Sequence, residues 1–561
     1  MTKPFMMVRL AGTQAEMGAQ HGRLVADDAA KLFAFYKTMP ERALAGDLRG
    51  PIGAVGRAVV RTIVGAWQAR LARTRPPELS ARTNAFAKAV RESMPDVVIA
   101  GDAELALATM DSLQNCVSLA ARGKLGPFAG TLPRAIVAAV PACSSAIAWG
   151  DATHDGELMF GRNFDFPGAG VWDAAPAFVV CAPSDGGQRY GFFATRGADA
   201  PVVTVVNEAG LVIAPHTRWH RGVTFGGAMI VDVIHDIARR AETLDDAIRI
   251  ARERPISSSW GIAIGSARER TGIVIEVAGP AVEIVRPAPG ASFLICANRY
   301  RSESLQAGQI AGSEAWALHS ERRERRLRAL LAERDRPLVA EALARMLGDR
   351  RDVDAPARSR HLGAILAQGV NVHCAVVTPA LCQALVGIDQ APTCEGRWAE
   401  LAWQWDGPTG AWEHEGPGFV ATTRDDIAAP HDAATKAIYE ATQAYDNDHD
   451  VPAAFAALER AVSADPTDPS LRLPAAWLAL EHGLPDRAIV HIHAGLATET
   501  EAYRRGQLLL WGARAAKKQD PALAKRWNDE LGRLGIAELT TASKRSFRGR
   551  PHVNLMLADA Y

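Results

Sequence analysis

Residues Ala139–Phe166, AVPACSSAIAWGDATHDGELMFGRNFDF, decide the fold that the sequence predicts. Cys143 follows a small residue and begins a strand-like run. Asp155-Gly156 is a strong hairpin signal, and the second strand-like run ends in Arg-Asn-Phe-Asp. Similar runs continue to about Trp403, while the helical stretches lie in separate blocks. Hairpins with segregated helices predict an α+β fold in which helices cover antiparallel sheets.

Length and charge limit the possible classes of protein. The 561 residues are too many for one ordinary domain, so two or more folding units are expected. The 63 Lys and Arg residues equal the 63 Asp and Glu residues, and this balance predicts neither a nucleic-acid nor a membrane partner. We find no run of signal-peptide or membrane-span length. The seven cysteines show no disulfide or metal-ligand spacing, so we expect a cytoplasmic protein without metal or cofactor.

The pattern of apolar residues divides the chain into four segments. Residues 1–142 have helical spacing, and residues 143–404 carry the strand pattern. A polar segment containing Gly and Pro, 405–432, is predicted to be a linker. The last segment, 433–561, is helical and repetitive.

The repeat in the last segment has a period of 34 residues. This shift aligns Ala454-Phe455 with Ala488-Ile489 and Ala522-Leu523, and it aligns Trp477 with Trp511. A period of 34 is typical of tetratricopeptide repeats, and the tail resembles such an array. The resemblance implies an all-α C-terminal region that binds a protein partner.

Cys143 is the candidate nucleophile, and it needs a base to form a thiolate. No histidine is obviously placed for that task, because His154 lies in the hairpin turn and His216 and His220 lie far downstream. If the bond between Ala142 and Cys143 is cut, however, the new α-amine, with a pKa of about 8, can take the thiol proton. The residues before Cys143 would then be a propeptide or a second subunit.

Arg162 and Asp165 follow on the strand that is hairpinned to the one beginning at Cys143. Residues three apart cannot both lie on one face of a flat strand, so we expect one of them where the strand ends. An Arg and an Asp at this spacing can orient a thiol and an amine. They can equally form a structural ion pair.

Four fragments, in the same order, resemble one family of enzymes. CSSAIAWGDATHDGELMFGRNFDF resembles the start of the mature chain in N-terminal-nucleophile hydrolases related to acyl-coenzyme A:6-aminopenicillanic acid acyltransferase (isopenicillin N acyltransferase), choloylglycine hydrolase and acid ceramidase. GTQAEMGAQHG upstream, and VVNEAGLVIAPHT and FLICANRYRS downstream, extend the likeness from about Leu10 to Trp403. The resemblance implies a four-layer αββα sandwich.

The resemblance also implies roles for individual residues. Cys143 would cleave the bond after Ala142 and then serve as the nucleophile. Arg162 and Asp165 would position the thiol and the new amine, and Asn298 would donate a hydrogen bond to the oxyanion.

A second oxyanion contact would fall at His216 and Thr217, where this sequence departs from the Asn or Tyr of the relatives. Asn207 is a further possible oxyanion or substrate contact, although a role in fixing the turn of the hairpin is favoured. His216 and His220 are four apart, which would suit a metal on a helix. Because they lie between strands with no third ligand, a loop is favoured.

Two hypotheses about function follow. In the first, the chain is an autoproteolytically activated amidohydrolase or acyltransferase that holds the acyl group of a small N-acyl amide as a thioester and passes it to water or an amine. An acyl-thioester donor is a further possible partner. In the second, the body is a degenerate scaffold and the repeats bind a protein.

Overall fold

The computed structural model describes residues 3–45, 50–95, 102–122, 142–224, 226–310, 314–334, 336–414, 418–420, 429–545, 553–555 and 559–560. The segment 123–141, which leads to the predicted cleavage site, lies outside the described residues. The chain forms two compact units. The first comprises Met1–Ile310, Leu327–Gly348 and Asn371–Ala421, and the second comprises Ala311–Arg326, Asp349–Val370 and Thr422–Tyr561.

The N-terminal segment is helical, as the apolar spacing predicts. Its helices are α1 (Gln14–Leu24), α2 (Ala26–Ala45), α3 (Gly50–Ala72), α4 (Pro77–Ser93) and α5 (Asp102–Ala121). Thr13 and Glu16 form a capping box that begins α1. Helices α1 and α4 pack closely, since a Cβ at Gly18 would lie 2.2 Å from the carbonyl oxygen of Arg82. Only glycine fits this approach.

The first unit contains a nine-stranded sheet with the order β10-β9-β8-β7-β6-β5-β4-β1-β17. Its strands are β1 (Met6–Gly12), β4 (Pro176–Pro183), β5 (Tyr190–Thr195), β6 (Thr204–Asn207), β7 (Leu211–Thr217), β8 (Ser259–Ser266), β9 (Thr271–Ala278), β10 (Ala281–Val285) and β17 (Gly410–Glu413).

A seven-stranded antiparallel sheet has the order β11-β2-β3-β14-β15-β16-β18. Its strands are β2 (Ala142–Ala148), β3 (Met159–Asp165), β11 (Phe293–Cys296), β14 (Asn371–Thr378), β15 (Gln383–Gly387), β16 (Arg397–Ala402) and β18 (Gly418–Val420). Side chains from both sheets share one hydrophobic core, which includes Ile147 and Phe160 from this sheet and Phe178 and Val206 from the nine-stranded one. The prediction of an α+β fold is therefore confirmed.

Helices also contact the sheets of the first unit. Helices α6 (Ile230–Arg240) and α7 (Leu244–Glu253) contact the nine-stranded sheet. After the short helix α8 (Glu303–Gln306) and α9 (Glu314–Ala332), helix α10 (Ala340–Leu347) contacts β3 and β14.

Strand β1 ties the N-terminal segment into the nine-stranded sheet. It pairs in parallel with β4 and antiparallel with β17, so that Val8 lies beside both Val179 and Ala411. Val8 and Leu10 are fully buried. The sequence analysis predicted only helices for this segment. The predicted linker also carries strands, β17 and β18, which pair with β1 and β16.

The second unit is mainly helical. It contains α11 (Ala429–Thr442), α12 (Val451–Ala464), α13 (Arg472–His482), α14 (Pro485–Thr498), α15 (Ala502–Ala516), α16 (Pro521–Leu534) and α17 (Ala537–Lys544), besides two short hairpins, β12 (Arg351–Asp352) with β13 (Ala355–Ser359) and β19 (Val553–Asn554) with β20 (Asp559–Ala560). Each helix from α11 to α16 packs on the next. Trp477 and Trp511 are buried in one shared core. Among the residues that the structure describes, no helix is long and apolar enough to cross a membrane.

Candidate active site

Cys143 lies on β2, one residue after the start of the strand, and its side chain is buried. In the antiparallel pair of β2 and β3, Cys143 is opposite Phe164 and Ser145 is opposite Arg162. Since directly opposed residues share a face, Cys143, Ser145 and Arg162 project to the same side of the sheet. This side carries Ile147 of the core between the two sheets.

Arg162 is the group that contacts the thiol. Its Nη2 donates to the Sγ atom of Cys143 at 3.3 Å and to the carbonyl oxygen of Pro215 at 2.6 Å. Its Nη1 lies 2.6 Å from Nε2 of His216. Pro215 and His216 of β7 thus hold the guanidinium so that Nη2 points at the sulfur. A cation at this place favours the thiolate over the thiol.

Asp165 is the last residue of β3, so one of the two charged residues does lie at the end of the strand. It faces the opposite side of the sheet from Cys143 and is directly opposite Ala142. Its Oδ1 accepts a hydrogen bond from Nδ2 of Asn371 at 2.8 Å. Arg162 and Asp165 therefore serve different faces of the sheet.

Asn298 contacts the main chain at Cys143. Its Oδ1 accepts from the backbone N–H of Cys143 at 2.7 Å, and its Nδ2 donates to the carbonyl oxygen of Thr217 at 2.9 Å. A donor on one side and an acceptor on the other fix which end of the amide is oxygen.

His216 and Thr217, predicted as possible oxyanion or substrate contacts, lie at the end of β7. A guanidinium can only donate, so Nε2 of His216 is the acceptor of the bond from Arg162, which requires a neutral imidazole. The hydroxyl of Ser145 lies 3.0 Å from the same nitrogen. The side chain of His216 thus holds the guanidinium, and the carbonyl group of Thr217 holds Asn298.

Asn207 is the last residue of β6, immediately before the turn to β7. Its Oδ1 accepts from the backbone N–H of Leu211 at 2.9 Å, and its Nδ2 donates to the carbonyl oxygens of Ala238 and Ala241. These contacts join the turn to the end of α6. They match the interpretation of Asn207 as a residue that fixes the turn.

Sequence reasoning missed Asn371 and Ser145. Asn371 begins β14 beside a register shift, and its Oδ1 accepts from the hydroxyl of Thr393 and the backbone N–H of Cys394. It therefore connects Asp165 to the turn after β15. Ser145 carried one signal, because it is two residues from Cys143 on the same strand and so shares its face.

Two other cysteines of the first unit, Cys116 and Cys374, are buried as well. Burial raises the pKa of Cys116 to about 12, and it does the same for Cys374. These thiols stay protonated at neutral pH. Near the site, burial and the charge of Arg162 together lower the pKa of His373 to about 3, so that imidazole is neutral.

Within the described ranges of the second unit, His361, Asp465 and Asp468 place one ligand atom each within 4.8 Å of one another. Asp468 already accepts from the backbone N–H of His361 and from the hydroxyl of Ser470. Nη1 of Arg350 lies 3.2 Å from Nδ1 of His361. These contacts indicate a structural cluster.

Comparison with known proteins identifies a family for part of the chain. Residues 152–379 match the family described as acyl-coenzyme A:6-aminopenicillanic acid acyl-transferase, which confirms the resemblance predicted from the sequence. The matched range includes Arg162, Asp165 and Asn298 and begins after Cys143. None of the curated proteins matches.

Two solved structures resemble the chain at low similarity. One is the Caenorhabditis elegans ortholog of N-acylethanolamine-hydrolyzing acid amidase, which is 17% identical with a TM-score of 0.31, over 43% of this chain and 94% of that one. The other is a mutant conjugated bile acid hydrolase from Clostridium perfringens, which is 12% identical with a TM-score of 0.32, over 49% and 97% of the two chains.

Proposed function

We propose, on the premise of the acyltransferase family that residues 152–379 match, that this chain is a self-processing cysteine amidohydrolase or acyltransferase. The observation that carries the proposal is the environment of Cys143, whose sulfur accepts from Arg162 and whose backbone N–H is bound by Asn298. One set of groups thus holds both atoms that an N-terminal cysteine uses. The substrate class is a small amide with an acyl group on nitrogen.

Self-cleavage is the first proposed reaction. The Sγ atom of Cys143 attacks the carbonyl carbon of Ala142, the bond from that carbon to the Cys143 nitrogen breaks, and the nitrogen takes the proton that the thiol loses. Water then adds to the thioester and the C–S bond breaks. The products are a carboxylate on Ala142, a thiol and a free α-amine on Cys143.

Turnover would reuse the same atoms. The α-amine takes the thiol proton, the thiolate attacks the substrate amide, and the amine returns the proton to the departing nitrogen. Water or an amine then attacks the thioester, and the C–S bond breaks to release the acyl group and restore the thiol. Asn298 holds the amine through Oδ1, as it holds the N–H in the uncut chain. The Nδ2 group of Asn298 is the oxyanion donor, and such a donor is worth about 3–4 kcal/mol. Arg162 stabilises the thiolate.

Asp165 would act on the new chain end. Ala142 lies directly opposite Asp165, so cutting after Ala142 leaves the α-amine at the end of the strand, one residue along the strand pair from Asp165. Unlike charges attract more strongly in a buried site than in water. We propose that Asp165 retains the amine at the site, and that Asn371 orients the carboxylate through its 2.8 Å hydrogen bond.

The position of β1 supports a retained subunit rather than a discarded propeptide. A fragment ending at Ala142 would still supply an interior strand of the nine-stranded sheet, between β4 and β17.

Helices contact the nine-stranded sheet and, through α10, the seven-stranded one, which supports a four-layer αββα arrangement. Consecutive helix packing from α11 to α16 supports a tetratricopeptide-like array. Binding of a protein partner by this array is part of the proposal.

The test uses the full chain and two matched variants. Wild type is expected to run as fragments of 142 and 419 residues. Cys143→Ala should stay whole and inactive. Cys382→Ala, which removes a partly exposed thiol elsewhere in the first unit, should cleave like wild type. Wild type that stays whole and shows no thiol-dependent hydrolysis of an N-acyl amide would overturn the proposal and favour the scaffold hypothesis.

A further inference from the structure

A buried ion pair lies beside the loop that carries Asn298. Nη1 of Arg218 donates to Oε1 of Glu276 at 2.5 Å, and the side chains are 1% and 0% exposed. Arg218 follows Thr217 at the end of β7, and Glu276 lies on β9. Between these strands, on β8, residue 261 is a glycine. A Cβ there would lie 2.4 Å from the guanidinium carbon of Arg218, so glycine leaves the space that the arginine crosses.

The pair holds the Asn298 loop from both sides. Nη2 of Arg218 donates to the carbonyl oxygen of Ala297 at 3.5 Å, immediately before Asn298. The carboxylate of Glu276 accepts from the backbone N–H groups of Arg301 and Ser302, each at 2.9 Å, and from the hydroxyl of Ser302 at 2.6 Å. The two charged groups together fix residues 297–302.

The aromatic ring of Tyr300 completes this arrangement. The guanidinium carbon of Arg218 lies 5.0 Å from the ring centroid, and the Tyr300 hydroxyl donates to the carbonyl oxygen of Val277 at 2.7 Å. The loop is therefore joined to β9 in two ways, through the carboxylate of Glu276 and through the hydrogen bond from the Tyr300 hydroxyl to the main chain of Val277.

Both members of the pair are charged. Burial alone would raise the pKa of Glu276, but Arg218 and the hydrogen bonds from Ser302 and Arg301 lower it below the usual value. Burial opposes the charge on Arg218, but Glu276 raises the pKa of the guanidinium. A buried ion pair usually adds little to stability compared with apolar residues of the same volume. The ion pair therefore contributes mainly by holding neighbouring groups in place.

We propose that Arg218 and Glu276 are positioning residues for Asn298, in both self-cleavage and turnover. They do not touch the reacting atoms. They fix the loop so that Oδ1 of Asn298 meets the nitrogen of Cys143 and Nδ2 meets the carbonyl oxygen of Thr217. Arg218 follows Thr217 in the chain and donates to the carbonyl oxygen of Ala297, so one residue links the acceptor of Asn298 to the loop that carries Asn298. This inference rests on the proposed function.

The test compares two buried Arg–carboxylate pairs of the first unit. Glu276→Gln keeps the size of the side chain and removes its charge. The control is Asp199→Asn, because Asp199 is also nearly buried and pairs with Arg82 at 2.6 Å and with His21 at 2.8 Å, neither of which belongs to the Asn298 loop. Each protein is made by cell-free translation, and the decay of the full-length band is followed on gels.

The expected result for Glu276→Gln is self-cleavage slowed tenfold or more. For hydrolysis of a fluorogenic octanoyl amide of aminomethylcoumarin, kcat should fall by a similar factor while KM stays within twofold. Glu276→Asp should recover at least part of both rates. Asp199→Asn should lower the melting temperature without slowing self-cleavage of the folded protein.

Equal self-cleavage by Glu276→Gln and wild type would overturn the inference, as would equal slowing by Asp199→Asn. If Glu276→Gln does not fold, Gly261→Ala supplies the same test by pushing Arg218 from its place with a single methyl group. Failure of the proposed function gives a different result, because wild type itself then does not cleave.

Discussion

The loss of the Asn298 side chain should slow self-cleavage and turnover together. Asn298→Ala removes the acceptor of the Cys143 N–H bond at 2.7 Å and the donor to Thr217 at 2.9 Å. Each buried backbone group left without a partner costs about 1–3 kcal/mol. The missing oxyanion donor lowers the rate by a factor of about 10²–10³. The variant should therefore fold with reduced stability and cleave about 10²–10³ times more slowly.

The assay follows the full-length band over time, with urea unfolding as a measure of stability. Asn207→Ala is the matched control, because it removes three hydrogen bonds to backbone groups, against two for Asn298→Ala, but lies at the turn beside α6. It should lose stability and cleave normally. If Asn298→Ala cleaves within a factor of two of wild type, or if both variants slow equally, the reasoning about Asn298 is wrong.

Three further predictions concern the subunits, the histidine and the C-terminal unit. After self-cleavage the two fragments should elute together in gel filtration and separate only in denaturant, because β1 is an interior strand of the sheet; separation in buffer would contradict this. His216→Asn should keep activity to lower pH than wild type. Protonation of His216 removes the acceptor of Arg162 and adds a like charge, whereas the amide oxygen of Asn accepts a hydrogen bond at every pH. Identical pH profiles of activity for the two proteins would contradict this. Glu499→Gln should destabilise the second unit by about 3–5 kcal/mol in calorimetry, since it breaks a fully buried bidentate pair with Arg360. The control, Glu440→Gln, breaks a surface pair and should cost less than about 1 kcal/mol. Equal losses of stability in the two variants would contradict this.

Local pattern was sufficient for much of the first unit. The hairpin turn at Asp155-Gly156 and the alternation of side chains predict the pairing of β2 with β3. They also predict that Arg162 and Asp165 cannot share a face. In the structure Arg162 contacts the Cys143 thiol, and Asp165 ends the strand on the other side. These relations depend on residues within about 25 positions of one another.

The features that the sequence did not predict depend on distant contacts. Strand β1 is stabilised by pairing with β4, about 170 residues later, and nothing in MMVRLAG itself distinguishes it from a helix start. Asn371 reaches Asp165 from 206 residues away. Arg218 and Glu276 were also missed, because a lone arginine and a lone glutamate give no sign that they meet in a core.

The second unit shows the same limit. Its helices follow from their apolar spacing, and Trp477 and Trp511, which the 34-residue shift aligns, are both buried in its core. Residues 311–326 and 349–370, however, belong to this unit although they lie within the strand-rich segment of the sequence. Arg360, for example, pairs with Glu499 across 139 residues. Segment boundaries drawn from composition cannot predict that residues within one segment of the sequence fold with another segment.

The central claim is that Cys143 becomes an N-terminal residue. Intact mass and N-terminal sequencing of the purified chain test it most directly. The account predicts two species, one of 142 residues and one of 419 residues that begins with Cys143 and carries a free α-amine. A single species at the full mass of 60.0 kDa, or a cut at any other bond, would contradict it.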